Sequence, residues 1–600
     1  MKNFKKLLYL LSSKERKHAI LLLLMILIMA LLDMLGVASI LPFMAVLTNP
    51  ELIETNSILN FMFQSSIIFG VENKNQFVFL LGLVVFVLLI VSLTFKALTN
   101  YAQTLFITMR EYSIGKRLVE GYLNQPFSWF LNRNSADLGK SILSEVGMVI
   151  GMGIQPMITL IAHGAVVVAL ITLLVINDPL LTLISGVALG GAYALIYLST
   201  RNYLKKIGQE RLEANEARFT ILSEAFGASK EIKLGRLENI YVSRFDNPAK
   251  TFAKHQASVK IISQLPRFAL EAVAFGGMLL LSLYFMFQSG AFINAIPVIA
   301  LYAFAGYRLM PALQNIYVAF TQLRFAGPAL DTLHKDLKNL NLANSVELKN
   351  SIKFENSISL DKISYHYPNS SNYVLKNITL DIPFKSKVGI VGSTGSGKTT
   401  TVDIILGLLQ ASKGLLKVDE KIIDNHNCRS WQGSIGYVPQ QIYLADDTVR
   451  ANIAFGISEE NINQQQIEKA AKIASLHEFV INELPDKYQT IIGERGVRLS
   501  GGQRQRIGIA RALYHSPKLL IFDEATSALD NITEQIVMEA LNNLDKNITV
   551  ILIAHRLTTL RNCDNIFLLE NGELIANGNF DELMKSNDKF RLMGKKEILK

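Results

Sequence analysis

The sequence predicts two unlike parts on one chain: an α-helical bundle of six membrane spans, then a soluble α/β domain built on parallel strands. Three observations carry this. Half of the 600 residues are hydrophobic and only 18% are charged, against about a quarter in an ordinary soluble protein. Nearly all the long apolar runs lie within 19–320. From 351 onward, short β-type runs alternate with helical text and glycine-rich turns. A chain of this length exceeds one ordinary core. The expected divisions are an amphipathic interfacial helix over 1–18, the spanning region over 19–330, a linker at 331–350 and the soluble domain over 351–600.

A helix crossing the hydrocarbon core needs ~20 mostly apolar residues, and six stretches qualify: 19–42, 76–98, 152–176, 179–199, 268–288 and 292–314. The text ahead of the first, MKNFKKLLYLLSSKERKHA, is basic and amphipathic, and no small-residue cleavage site closes the apolar run behind it. It therefore reads as an interfacial helix leading into an uncleaved span. Segments 98–152 and 200–264 are polar with helical spacing, so each should carry a membrane helix onward into water.

Lysine and arginine set the direction. The connections 43–75, 177–178 and 288–291 contain one basic residue, Lys74. The other side carries Lys5, Lys6, Lys14, Arg16, Lys17, Arg110, Lys116, Arg117, Arg133, Lys140 and a dense set from Arg201 to Lys260. This bias puts both termini and the soluble domain in the cytoplasm of a multi-pass protein. It also accounts for the net charge of +10 without a nucleic-acid partner. The outer segment 43–75 has helix-like apolar spacing and reads either as a short helix at the outer membrane surface or as an ordinary packed loop. The two cysteines, Cys428 and Cys563, make neither a disulfide framework nor a zinc pattern and read as structural thiols.

In the soluble half, KVGIVGSTGSGKTT reads as strand, loop and helix, with G-x-x-x-x-G-K-T at Gly392, Ser393, Thr394, Gly395, Ser396, Gly397, Lys398 and Thr399. Glycines at these places let backbone N–H groups wrap phosphates, and the helix that follows, opening through Thr400, turns its positive end toward them. Lys398 would reach the β/γ-phosphates of ATP, and the Thr399 hydroxyl would ligate Mg²⁺. KLLIFDEATSALD reads as a buried parallel strand ending at Asp523, a second Mg²⁺ ligand through water, with Glu524 next in line to orient the attacking water.

LSGGQ, from Leu499 to Gln503, lies between these two motifs and resembles the signature of the ABC transporter superfamily. Further matches stand in the family's order: YVPQ ending at Gln440 (the Q-loop), SALD ending at Asp530 (the D-loop), IAHR with His555 at the switch position, and SYHYP with Tyr367 at the adenine-stacking position, two residues from Tyr365. The resemblance implies that Ser500, Gly501, Gly502 and Gln503 contact ATP held by a second subunit. It gives His555 a γ-phosphate contact, and it makes Gln440 a Mg²⁺ ligand and a reporter of nucleotide state. One ATPase domain per chain then implies a dimer. Since neither Glu524 nor LSGGQ is degenerate, a homodimer would have two intact sites. Membrane half before ATPase half is the family's exporter order. GERG resembles the exporters' cross-subunit loop, with Glu494 its anchor, and coupling segments are expected near 124–134 and 217–233.

Charges inside spans mark functional candidates by default. Those present are Asp33, Lys96, Arg267, Glu271 and Arg308. Arg267 and Glu271, four apart, could simply neutralise each other, and Lys96 could snorkel. The sharper expectation is a cationic cavity of Lys96, Arg267 and Arg308 for an anionic headgroup. PRFALEA, GYRLMPAL and the outer helix resemble the lipid-linked oligosaccharide flippases of bacterial N-glycosylation, implying a polyprenyl-pyrophosphate-linked glycan as cargo and the bacterial inner membrane as location. Asn315 stands where that pattern would carry another cation. The alternatives are a multidrug or lipid exporter for amphiphiles and an ATP-gated membrane regulator. A peptide exporter is disfavoured, since no protease domain precedes the first span.

Overall fold

A computed structural model describes residues 2–177, 179–287, 292–340, 352–368, 370–493, 496–524, 547–554 and 557–598, with positions 535, 536 and 539. The chain divides into two compact units, Met1–Gln125 with Arg133–Ala343 and Pro126–Asn132 with Asn344–Lys600.

The first unit is helical. The expected interfacial helix over 1–18 is corrected: the first helix is Lys2–Leu10, and a second begins at Ser13. Ser12 stops the first and starts the second, because its backbone N–H donates to Glu15 Oε2 at 2.8 Å while its hydroxyl accepts from the Glu15 N–H. Leu7, Leu10 and Leu11 are buried, and Arg117 Nη1 donates to the Leu10 carbonyl at 2.6 Å. Leu7 and Leu10 of this helix are thus packed on protein, while Phe4 and Tyr9 remain exposed.

The first long helix runs Ser13–Ala38, is interrupted at Ser39, whose hydroxyl donates to the Gly36 carbonyl, and resumes over Ile40–Thr48. The segment between the first two long helices folds as Leu52–Thr55 and Ser57–Ser66 over a small core of Val46, Ile53, Leu59, Val71, Phe77 and Leu81. The segment is thus helical and packed on protein. Lys74–Leu123 is 50 residues long, about 75 Å at 1.5 Å per residue, against a hydrocarbon core of ~30 Å. Pro179–Gly227 and Glu238–Phe287 have 49 and 50 residues and Phe292–Phe325 has 34. Among the described residues three helical stretches, Ser13–Leu47, Lys74–Leu123 and Ser135–Ile176, are long and apolar enough to cross a membrane by length and composition. Apolar side chains such as Ile20, Phe79, Phe86 and Val168 face outward, uncovered. In water that pattern would be unstable.

The stretch leading into Gln155–Asn177 is wound as π-helix at Ser141–Glu145 and Ile150–Ile154. Glu145 lies buried there, accepting from Arg211 Nη1 and Asn215 Nδ2 at 2.7 Å each. Gly208 is a glycine by necessity, for a Cβ would stand 2.3 Å from the Phe325 carbonyl oxygen. The linker expected at 331–350 is corrected at its start. Gly327–Asn339 is a helix whose Leu330, Leu333 and Leu337 are buried, so 331–339 belongs to the helical unit.

The second unit holds two sheets. Strands β1 (Ser357–Tyr365), β2 (Leu375–Pro383), β4 (Lys413–Val418) and β5 (Lys421–Ile422) form an antiparallel sheet in the order β2-β1-β4-β5. Strands β3 (Lys387–Gly392), β6 (Ile435–Val438), β7 (Leu519–Asp523), β8 (Thr549–Ile553), β9 (Asn565–Glu570) and β10 (Glu573–Gly578) form the other, in the order β10-β9-β3-β8-β7-β6. All its pairings but β9–β10 are parallel. Every residue of β7 and β8 is buried, which is why their text is continuously apolar and does not alternate. The register Val388↔Ile551, Ile551↔Ile521 and Ile521↔Tyr437 brings the carboxyl ends of β3, β7 and β6 to one edge.

Candidate functional site

Gly392 ends β3, and the loop after it turns through Gly395 and Gly397 at φ +80° and +100°, the left-handed region that glycine enters at no steric cost. A Cβ at Gly397 would also stand 2.5 Å from Leu375 Cδ2. Lys398 opens the helix Lys398–Ile405 and is buried, with Nζ donating to the carbonyls of Gly392 at 2.8 Å and Ser393 at 3.1 Å. Burial holds its ammonium below the usual lysine range, opposed by the negative charges of Glu524 and Asp523. Ser393, Thr394 and Gly395 are exposed at the mouth of the loop, as is Thr399, whereas Thr400 points inward and meets the Tyr367 hydroxyl at 3.0 Å. Tyr365 is buried, edge-on to Tyr367, so of the two rings Tyr367 is the one a base can reach.

Asp523 ends β7, buried, and accepts from the Tyr437 hydroxyl at 3.1 Å. Glu524 follows at φ +50°, a left-handed conformation that costs a non-glycine residue about 1–3 kcal/mol. Its Oε2 accepts from Gln440 Nε2 at 2.6 Å. The sheet edge therefore brings Lys398, Asp523, Glu524 and Gln440 together from three separate stretches of chain. Two groups here were not singled out from the sequence. Tyr437 stands beside Asp523 because β6 pairs with β7. Asp403 is pushed up to about 6, first by burial and then by the charge of Asp523. The only signal for either was a polar residue in an apolar strand or helix, and strand order supplied the neighbour.

Ser500 caps the helix Gly501–Tyr514. Its hydroxyl accepts from the Gln503 N–H at 3.2 Å and its N–H donates to Gln503 Oε1 at 2.8 Å. The Gln503 side chain is thereby engaged in the cap, while the Ser500 hydroxyl proton and the N–H groups of Gly501 and Gly502 remain to meet an anion. His555, Asp530 and Glu494 lie outside the described residues.

The loop fits a nucleotide and its metal. Ser396 Oγ is buried inside the cradle without a hydrogen-bond partner among the described residues. Thr399, Asp523 and Gln440 offer only hard oxygen ligands, the set that suits Mg²⁺ shared with phosphates. Among the described residues no cluster of three or more His, Cys, Asp or Glu would hold a metal alone.

The second candidate lies in the helical unit, where Asp33, Lys96, His163 and Arg308 line a largely apolar cavity of 470 Å³. Asp33 Oδ1 accepts from Arg308 Nη1 at 2.8 Å and from Ser92 Oγ at 2.7 Å, and Lys96 Nζ stands 3.7 Å from Oδ2. Of the three expected cations, Lys96 and Arg308 line this cavity and Arg267 does not. Arg267 is paired with Glu271 at 2.7 Å on an exposed face, as spacing four apart on one helix allows. Asn315 meets His163 Nε2 at 3.1 Å.

The sequence matches the ABC transporter family over residues 375–527 and the ABC transporter transmembrane region over 53–311. The chain belongs to the ABC transporters as a half-exporter, a membrane protein that binds ATP and couples its hydrolysis to export. The ATP-dependent lipid A-core flippase of Cupriavidus pinatubonensis is 30% identical over 78% of this chain and 80% of its own length. That of Chromobacterium violaceum is 45% identical over 38% of each. A solved structure described as a bacterial Atm1-family ABC exporter with ATP bound shares the fold at TM-score 0.77, with 20% identity, covering 98% of this chain and 99% of that one.

Proposed function

We propose that two copies of this chain form a homodimeric flippase for a polyprenyl-pyrophosphate-linked oligosaccharide. Each copy would span a bacterial inner membrane six times, with termini and ATPase in the cytoplasm. The observation that carries the cargo reading is the convergence of Lys96 and Arg308 on one largely apolar cavity. A guanidinium partly withdrawn from water within a span is costly unless it meets an anion, and its fork suits phosphate oxygens.

On the ATPase side, ATP would stack its base on Tyr367 and lay its phosphates along Gly392–Thr400. Lys398 must then leave the carbonyls of Gly392 and Ser393 for phosphate oxygens, a stronger charge-assisted partner. Thr399, Asp523 and Gln440 would hold Mg²⁺, which neutralises charge on the phosphates. The Gln440 amide donates to the Glu524 carboxylate. Gln440 must swing away from the carboxylate before Glu524 can accept a proton from the attacking water. One residue thus senses the nucleotide and releases the base. Ser500 of the second copy would close the site, with His555 and Asp530 completing it. The dimer would close on ATP and reopen once phosphate leaves. The short helix Phe127–Phe130 groups with the ATPase unit, which supports its reading as a coupling segment.

The test is reconstitution in liposomes with a labelled polyprenyl-pyrophosphate glycan. Glu524→Gln should abolish flipping. The Lys96→Ala/Arg308→Ala double variant should lose at least about tenfold in transport, with ATP consumption no longer responding to cargo. Undiminished flipping by the double variant would remove the cargo assignment. The relatives' description as lipid A-core flippases favours a second reading, a lipid exporter, and the same liposomes carrying a labelled lipid A-core would reveal it.

A further inference from the structure

Asp33 sits in the apolar run ILLLLMILIMALLDMLGVA and is 1% exposed. A carboxylate at such a place must be paired, and it is, but unevenly. Oδ1 carries two hydrogen bonds, from Ser92 and Arg308, whereas Oδ2 is buried and, among the described residues, has no hydrogen bond and meets only Lys96 at 3.7 Å. Glu145, another buried acid of this unit, has a partner on each oxygen, Arg211 and Asn215. Glu145 has the saturation of a structural ion pair. Asp33 instead has an open oxygen, a half-exposed lysine and a 470 Å³ cavity in front of it.

We propose that Asp33 is a resident counter-anion that competes with the cargo headgroup for Lys96 and Arg308, an inference resting on the phosphate-cargo reading above. Two cations and one carboxylate leave the cluster at +1. A phosphate-bearing headgroup therefore meets two donors and one repelling charge, felt more strongly than in bulk water because Asp33 is buried. The Ser92 hydroxyl keeps the carboxylate in place, so it does not follow the cargo out. When the headgroup departs, Asp33 takes back both cations, which would otherwise stand unpaired in the membrane. Attraction enough to bind, offset by repulsion enough to let go, is what a carrier requires, because a clamp without Asp33 would hold its anion too long.

The experiment uses the full chain in nanodiscs, without ATP or Mg²⁺, and fluorescent farnesyl diphosphate as probe, with farnesol as its uncharged counterpart. Asp33→Asn should tighten diphosphate binding by about tenfold or more, as removal of a close like charge demands, and leave farnesol binding unchanged. The same comparison is made in a Lys96→Gln background, where Asp33→Asn takes the local charge from 0 to +1 and no variant exceeds the native charge. This keeps the test open if Asp33→Asn alone fails to fold. Wild-type protein that prefers the diphosphate, with no tightening in either background, overturns the counter-anion and leaves the cargo reading standing. Equal tightening for farnesol also overturns it, since that would reflect a loosened bundle. Absence of any headgroup preference in every variant overturns both.

Discussion

The ATPase site and the membrane cavity each gather cations and carboxylates, yet they are built in opposite ways. Lys398 is placed by its own neighbours: two left-handed glycines, the carbonyls of Gly392 and Ser393, and the helix it opens. Lys96 and Arg308 are placed by an acid 63 and 275 positions away in the chain, on another helix. In the first case backbone geometry does the positioning and the side chain is free to act. In the second the side chains position one another, so each is part of the packing it stands in. The lesson is that a charge in the ATPase unit can be removed for its chemistry alone, whereas in the helical unit charge and fold are entangled.

The largest expected effect tests the first half of that statement. Lys398→Ala should lower ATP hydrolysis by at least about a hundredfold, the scale of losing one preorganised charge contact, while thermal unfolding of the chain stays near the wild-type value. Unaltered hydrolysis would dismiss the phosphate role of Lys398. Unfolding of the ATPase unit would break the contrast.

Arg211→Ala addresses the other half. Its guanidinium and the Glu145 carboxylate are both almost wholly buried, and removing one partner of such a pair costs about 3–5 kcal/mol. A markedly lower melting temperature in detergent is expected, with hydrolysis per folded molecule largely kept. A wild-type melting curve would mean that the Ser141–Glu145 turn of π-helix is indifferent to its charges.

The smallest effect concerns the two thiols. Burial, helped by Asp564, pushes Cys563 up to about 12. Being raised, this pKa favours the folded state only below the ordinary thiol value; between about 9 and 12 the unfolded chain ionises first, and stability falls as pH rises. At pH 8 a maleimide should therefore label the half-buried Cys428 and spare Cys563 in native protein, as mass spectrometry of the peptides would report. Equal labelling of both would contradict the packed position of Cys563.

The sequence by itself determined what depends on contiguous residues. Gly392–Thr400, the buried run ending at Asp523 and the LSGGQ cap are legible because phosphate binding and helix capping are local acts of the backbone. Apolar length marked the helices for the same reason, though not the break at Ser12, which a reciprocal cap with Glu15 creates, nor the helix over 331–339, whose apolar stripe mattered only once it had a surface to cover. Only the tertiary structure decided which charges meet. It placed Tyr437 and Gln440 against Asp523 and Glu524, separated Arg267 from the cavity, and set Asp33 between Lys96 and Arg308. Coulomb energy depends on distance in space, and no pattern along the chain encodes a contact 275 positions apart.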